Sequence, residues 1–331
     1  MKKHHNLKIL FIPKSNLIFI QNDLKILKKY FNVIPFSWNG KKDIIKIIYY
    51  MLKSDISFSW FALDHAAFAV FFSKLFRKKS VVVVGGVDVA NVPELKYGTF
   101  TLKWYKKFLT KFALKNADII LPVSNFTNNE VIKIVKPKKI KVIYNGVNTH
   151  EIGELPKKKE NIISTIGGAT RKHYKLNGFE TFAKVSNFFS DYKFVIIGPT
   201  EKKIVERLKK INPHLIFTGQ IEHKKVIDWL KKSKVYCQLS YRESFGLGIA
   251  EAMCCGCIPV VTKGKTGMKE IVKDYGFYVT YDNEKTTAEM IKKALQIPHI
   301  KQKEIRENIV RNFSLEIREK KIIDLILYLF K

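Results

Sequence analysis

Cysteine is scarce in this chain. There are four, Cys237, Cys254, Cys255 and Cys257, all within one short stretch. A structural zinc site would need a second pair at comparable spacing, and none exists. The four read as small buried thiols of a reducing compartment, which excludes a disulfide framework. Acidic residues are also few: 29 Asp and Glu stand against 60 Lys and Arg, a formal net charge of +31. Residues 1–150 hold 26 basic and 8 acidic side chains, and residues 151–331 hold 34 and 21. Such a surface attracts nucleic acid, anionic lipid headgroups or phosphorylated substrates, and charge alone chooses none of them. No RNP-like, helix-turn-helix or zinc pattern adds to the nucleic-acid reading. The longest apolar run, Ile56 to Phe72, carries Asp64 and His65 at its centre. A spanning helix would place both in mid-bilayer, so a buried strand followed by a buried helix is expected instead. Met1 to Ile12 is basic and then strand-like. It has no apolar core followed by a small-residue cleavage site, so a cytoplasmic location is expected.

The chain does have ample material for buried sheets: 331 residues, 46% of them hydrophobic. That length suits two domains of about 150 residues each. Strand-like and helix-like segments alternate. Lys42–Leu52, Phe100–Asn116 and Asn125–Val135 read as helices; Leu7–Ile12, Ile56–Trp60, Ser80–Val84 and Ile140–Ile143 read as strands. Asn148 to Glu160 is polar, contains Gly153 and Pro156 and ends near a lysine run, so it reads as a linker over residues 149–160. The alternation restarts at Ile162–Ile166 and ends with two helices, Glu304–Asn312 and Leu315–Phe330. The expected fold is therefore α/β: doubly wound parallel sheets in domains 1–148 and 161–312, with ligands at the carboxyl ends of strands, in a cleft between the domains. Residues 313–331 form a last helix that can return to the first domain.

The densest chemistry lies between Ser240 and Val261, after a strand at Val235–Leu239. Ser244 can cap a helix that starts at Phe245, which puts Glu243 in the loop and Glu251 inside the helix. Their carboxylates should lie about 10–12 Å apart. That suits the two ends of a nucleotide sugar, with the helix N-terminus offering N–H groups to the diphosphate between them. Gly246 and Gly248 let backbone approach closely. A second element, Gly167-Gly168-Ala-Thr-Arg171-Lys172-His-Tyr-Lys175, follows the first strand of the second half.

On these motifs the chain resembles glycosyltransferase family four, the retaining group-one glycosyl transferases of GT-B fold, over nearly its whole length. The resemblance implies two Rossmann-like domains facing a cleft and transfer from a nucleotide-diphosphate sugar to a glycan, lipid-linked or polymer acceptor. It assigns Glu243 to the donor sugar's hydroxyls and Glu251 to the ribose, with Ser244, Phe245, Gly246 and Gly168 on the donor. Gly256-Cys257-Ile258-Pro259-Val260 matches the family's strand entry, and Glu270 a further acidic position. Relatives place an Arg and a Lys in the Gly168 loop to grip the diphosphate. Here Asn177 stands where the usual Lys precedes glycine, so the grip falls among Arg171, Lys172 and Lys175. His65, at a helix start, fits either a cleft histidine near the scissile bond or an ordinary core residue. Asp88, after Gly85-Gly86, fits either an acceptor contact, with Gly86, or a turn. The loop after the first strand, Pro13-Lys14-Ser15-Asn16, lacks the family's glycines. No Asp-x-Asp pair is present, and basic residues with helix ends can neutralise a diphosphate, so transfer without metal or cofactor is expected.

Leu102 to Lys115 mixes aromatics and lysines at helical spacing. One reading packs the aromatics on the sheet, and the other lays the helix on an anionic membrane surface, giving a peripheral protein at the inner face. Two other functions share these features: a GT-B sugar-nucleotide epimerase, and a basic nucleic-acid-binding protein.

Overall fold

The computed structural model describes residues 6–330 apart from residue 265. Residues 1–5 and 331, at the outer ends of the expected domains, lie outside the described residues. The chain divides into two compact units, residues 1–145 with 316–331, and residues 146–315.

The first unit contains β1 (Lys8–Ile12), α1 (Ile18–Tyr30), β2 (Asn32–Pro35), α2 (Ile44–Leu52), β3 (Ile56–Trp60), α3 (Asp64–Leu75), β4 (Lys79–Val84), α4 (Trp104–Asn116), β5 (Ile119–Pro122) and α5 (Asn125–Ile134). All its strand pairs are parallel, in the order β2-β1-β3-β4-β5. Strand periodicity sends Leu10 and Ile12 to one face, against Ile47 and Met51 of α2 and Ala69 and Phe72 of α3. Val82 and Val84 meet Ala66 and Val70 of α3 and Ala113 and Leu114 of α4. Consecutive strands leave β1 and β3 in opposite directions, so the chain reverses between them. The segment Ile140–Ile143, expected as a strand, makes only one isolated bridge, Ile120 to Ile140. The expected helical starts at Lys42 and Phe100 are short 3₁₀ turns, Lys41–Asp43 and Thr99–Thr101, ahead of α2 and α4.

The second unit contains α6 (Thr149–Ile152), β6 (Ile162–Ile166), α7 (Phe179–Ser186), β7 (Lys193–Ile197), α8 (Lys202–Lys209), β8 (Ile216–Phe217), α9 (His223–Lys232), β9 (Val235–Gln238), α10 (Leu247–Cys254), β10 (Ile258–Thr262), α11 (Met268–Val272), β11 (Phe277–Val279), α12 (Glu284–Leu295) and α13 (His299–Phe313). Its parallel sheet runs β11-β10-β9-β6-β7-β8. Here the reversal falls between β6 and β9. Residues 149–160 lie within this unit, and Lys159 is buried. Its ammonium donates to the carbonyls of Ser233 (2.7 Å), Cys255 (2.8 Å) and Lys231 (3.1 Å). These are C-terminal carbonyls of α9 and α10 that have no intrahelical donor, and a cation there complements both dipoles. All four cysteines are free and buried.

The last helix, α14 (Leu315–Tyr328), has its residues from Glu316 onward in the first unit. Arg318 fastens it there. Its guanidinium forks onto both oxygens of Asp23, at 2.7 Å each, and donates to the Ile143 and Tyr144 carbonyls. Trp60 completes Asp23 from below with an indole N–H at 2.9 Å. Both ionic side chains are almost fully buried, at 2% and 0% exposure, so removing one strands the other. Arg318→Ala is expected to lower stability by about 3–5 kcal/mol in denaturant unfolding of the intact chain. A change under about 1 kcal/mol would mean that α14 is held by its apolar face alone.

Candidate active site

Each unit gathers loops where its sheet reverses direction, because two adjacent strands then send their following segments apart and leave a crevice between them. In the second unit these are the loop after β6, residues 167–178, and the loop after β9, residues 239–246. Both sequence-predicted motifs sit on them. The loops are locked together: Tyr241 N–H donates to the Leu176 carbonyl at 2.8 Å. Gly178, at φ +68°, lies against the Leu239 carbonyl so closely that a Cβ would collide with it. Gly248 similarly leaves room for the buried Tyr236 hydroxyl, which a Cβ would approach to 2.8 Å. That hydroxyl donates to Gln238, whose amide donates to Ser240.

The helix after β9 begins two residues later than the sequence suggests. Its cap is Gly246, at φ +96°, where the sequence suggests Ser244. Glu243 occupies that role differently. Its Oε1 accepts from the Ser244 N–H at 2.9 Å and the Phe245 N–H at 3.4 Å. Burial pushes the Glu243 carboxyl above its usual range, opposed by these N–H bonds and by the adjacent Arg242. Ser244 and Phe245 are buried beside it. Glu251 lies inside α10 and is also buried, so the two carboxylates flank the first turn of that helix.

Glu251 has a partner that the sequence did not announce. His223, the first residue of α9, brings Nε2 to 2.8 Å from Glu251 Oε1, and Nδ1 to 3.4 Å from Glu151 Oε1 on α6. The hydrogen bond to Glu251 chiefly raises the imidazole, against desolvation and aided by Glu151, to about 9. His223 is thus a cation between two carboxylates at neutral pH. Separations of 28 and 72 residues gave this cluster no local spacing to recognise.

The basic loop is less concentrated. Arg171, Lys172 and Lys175 are exposed. Arg171 lines a surface cavity of about 370 Å³ with Tyr174, Lys203 and Arg207. Its backbone N–H donates to Glu201 at 3.1 Å. The Lys175 carbonyl accepts from Tyr281 at 2.8 Å, which fixes its backbone and leaves its amine outward. Asn177, in place of the familial lysine, packs on the loop glycines: a Cβ on Gly167 would come 2.7 Å from its amide nitrogen. Gly168 has no such constraint, since its nearest neighbour would be 3.5 Å away.

In the first unit the loops after β1, β3 and β4 converge at the other reversal. His65 is fully buried, with Nε2 2.7 Å from the Trp60 carbonyl. A carbonyl only accepts, so Nε2 carries a proton. Its Nδ1 has no hydrogen-bond partner and lies 3.6 Å from Asp64. Lys14, from the β1 loop, reaches Asp64 at 3.5 Å. The reading of Asp88 as an acceptor contact is corrected. Its carboxylate is fully buried and accepts from the Ala62 N–H at 2.8 Å and the Gly86 N–H at 2.7 Å. It ties two loops together, and Gly86 supplies an amide to that tie.

A parallel six-stranded sheet with carboxylates around a helix start at its reversal, joined in sequence to a second parallel α/β unit, defines a GT-B glycosyltransferase. Family models agree: glycosyl transferases group 1 matches residues 148–312, and glycosyltransferase family 4 matches residues 35–151. The chain belongs to this family. It is 29% identical over 230 residues to an uncharacterized glycosyltransferase of Methanocaldococcus jannaschii, a match covering 64% of this chain and 58% of that one. It is 22% identical over 252 residues to the N-acetylgalactosamine-N,N'-diacetylbacillosaminyl-diphospho-undecaprenol 4-alpha-N-acetylgalactosaminyltransferase of Campylobacter jejuni, covering 71% and 66%. The chain therefore spans about three fifths of the length of these curated relatives. Among solved structures, Anabaena Alr3699/HepE in complex with UDP and glucose superposes with a TM-score of 0.81 at 15% identity, covering 97% of this chain and 100% of that one.

The raised His223 predicts a pH dependence. A group whose pKa rises on folding stabilises fully below its unfolded value and stops doing so above the folded one. His223→Gln is therefore expected to cost no more than about 3 kcal/mol at pH 6, with the difference fading between about pH 6.5 and 9. Paired urea titrations across that range test it, and a difference that persists unchanged at pH 9.5 would point to packing instead of charge.

Proposed function

We propose that the chain is a retaining glycosyltransferase moving a sugar from a nucleoside-diphosphate sugar to a glycan, lipid-linked or polymer acceptor at the cytoplasmic face of a membrane. The observation that carries this reading is the pair Glu243 and Glu251 about the first turn of α10, at the sheet reversal of the second unit. A nucleotide sugar has hydroxyls at both ends and two negative charges in the middle. Two carboxylates flanking the N-terminus of a helix complement that pattern. Glu251 takes the ribose diol and Glu243 the hydroxyls of the transferred sugar. The amides about Phe245 and Gly246, with Ser244 and Gly168, line the diphosphate, and Arg171, Lys172 and Lys175 supply the positive charge.

Departure of the nucleoside diphosphate builds negative charge on its terminal phosphate, which basic side chains and helix amides stabilise more in the transition state than in the bound donor. Transfer accordingly proceeds without a metal or organic cofactor. Transfer on this reading retains the anomeric configuration, with the leaving phosphate helping to deprotonate the acceptor and no side chain assigned as base. His65, buried with an Nδ1 that makes no hydrogen bond, serves the acceptor side. UDP and glucose in the HepE structure, and the undecaprenol-linked acceptor in the Campylobacter relative's name, support this donor and acceptor class. Both curated relatives above are named as transferases, which favours transfer over epimerisation.

A thermal-shift screen of nucleoside-diphosphate sugars should find one that raises the melting temperature of the wild type. Substituting Arg171, Lys172 and Lys175 by alanine in turn should reduce that shift in at least one case, naming the grip. Full retention of the shift in all three would remove the loop from the site. Proton NMR of early product should show the donor's anomeric configuration, and activity should survive EDTA. An inverted anomer, or activity lost to chelation and restored by manganese, would overturn the mechanism.

A further inference from the structure

The helices α2, α3 and α4 form one layer on one face of the first unit's sheet, where their inner sides meet Leu10, Ile12, Val82 and Val84. Their outer sides are not the polar surfaces that amphipathic helices of a soluble domain present. On α2, Ile45 (79% exposed), Tyr49 and Leu52 recur at four- and three-residue steps. On α3, Phe71 and Leu75 (60%) follow at the next four-residue step, and on α4 so do Trp104 (77%) and Phe108 (60%). Residues four apart share a helix face, so each helix carries an outward apolar stripe. The stripes adjoin, because α3 packs against both neighbours, with Phe71 and Phe112 rings 6.4 Å apart between α3 and α4. One scattered apolar residue on a surface needs no explanation, but adjoining stripes on three neighbouring helices do.

The charge around these stripes is predominantly positive. Residues 65–117 hold ten Lys and Arg and only two acidic residues, Asp88 and Glu94. Asp88 is buried and bonded to backbone amides. On α4 the apolar stripe runs on into exposed Lys111 and Lys115, with Lys103 and Lys106 alongside. On α2, Lys46 and Lys53 flank the stripe, and the acidic Asp43 is buried and paired with Lys46 at 3.3 Å.

We propose that the outer face of α2, α3 and α4 is a docking surface for an anionic lipid bilayer, with Trp104, Phe108 and Ile45 entering the headgroup region and the lysines meeting acidic headgroups. The chemistry decides between occupants. A polynucleotide would use the lysines and leave Ile45, Leu52 and Leu75 facing water, whereas a bilayer uses both sets at once. Among the described residues no helix is long and apolar enough to cross a membrane, so this attachment lies on the surface. The inference rests on the membrane placement in the proposed function, but it involves none of the carboxylates or the basic loop assigned to the donor, so its failure would leave donor binding untouched.

Vesicle co-sedimentation of the full chain tests it, with phosphatidylcholine alone and with 30–40% phosphatidylglycerol (roughly the anionic content needed for a strong surface potential). Binding is expected only to the anionic vesicles, with a loss of at least about tenfold between 0.1 and 0.5 M salt. Trp104→Ser/Phe108→Ser should weaken it about tenfold or more while leaving the net charge and the melting temperature unchanged. A Trp104→Phe variant should keep binding but lose most of the blue shift in tryptophan emission, because Trp38 and Trp60 are already buried and Trp229 is packed on the core of the second unit, away from this face. Three results would overturn the proposal: equal binding to neutral vesicles, anionic binding unaffected by the serine pair, or a dimer in sedimentation equilibrium that the serine pair dissolves. Binding to RNA that the serine pair leaves intact, alongside no lipid binding, would assign the face to polyanions instead.

Discussion

The reversal of strand order between the parallel neighbours β6 and β9 is the constraint from which the candidate site follows. Two parallel strands that lie side by side but lead away from each other cannot have their following loops packed under the same helices. The loops must instead share the space above the strand ends. In this chain they do so with no slack. Backbone meets backbone where Gly178 lies against Leu239 and where Tyr241 bonds Leu176, and only a residue without Cβ fits at the first contact. The backbone of both loops is thereby fixed in advance, and a ligand that binds there does not have to order it.

Electrostatics gives the site its second feature. A strongly cationic protein has placed carboxylates where its own burial disfavours them, and each is compensated locally. Glu243 is answered by backbone N–H groups and Arg242, and Glu251 by His223. Asp23 and Asp88, in the other unit, are compensated by an arginine fork and by loop amides. The contrast tells functional from structural carboxylates. The bonds of Asp88 are all to backbone and close it off, and those of Asp23 are closed by Arg318 and Trp60. Glu251 instead meets a side chain whose charge titrates, His223 at the start of α9.

What was readable in the sequence was whatever depended on local period or spacing. The tetravaline strand, the β6 and β10 strands and the loop-then-helix placement of Glu243 and Glu251 come from alternation and short motifs, and all of them stand in the structure. The misplacements share a cause. Ser244 has the chemistry of a cap, but its own N–H and that of Phe245 turn back to the Glu243 carboxylate, and the helix begins only after Gly246. Ile140–Ile143 does run beside β5, its Lys141 and Ile143 N–H groups donating to the Ile120 and Pro122 carbonyls, but only Ile120 and Ile140 pair as a bridge. Lys159 sits in what reads as a solvated run, and its destination, two helix C-termini 71 to 98 residues away, is visible only once the chain is folded. The His223 cluster was unreadable for the same reason.

The most direct test of the account is calorimetric titration of UDP, GDP and ADP, each with and without its sugar, into the wild type, Glu251→Gln and Glu243→Gln. If Glu251 holds the ribose and Glu243 the sugar, one nucleotide binds the wild type. Glu251→Gln then weakens nucleotide and conjugate alike by about tenfold or more, roughly one lost charge-assisted hydrogen bond. Glu243→Gln weakens the conjugate alone. Unchanged binding in both variants, or loss of the bare nucleotide in Glu243→Gln while Glu251→Gln keeps it, would contradict the placement of the donor at the β6–β9 reversal.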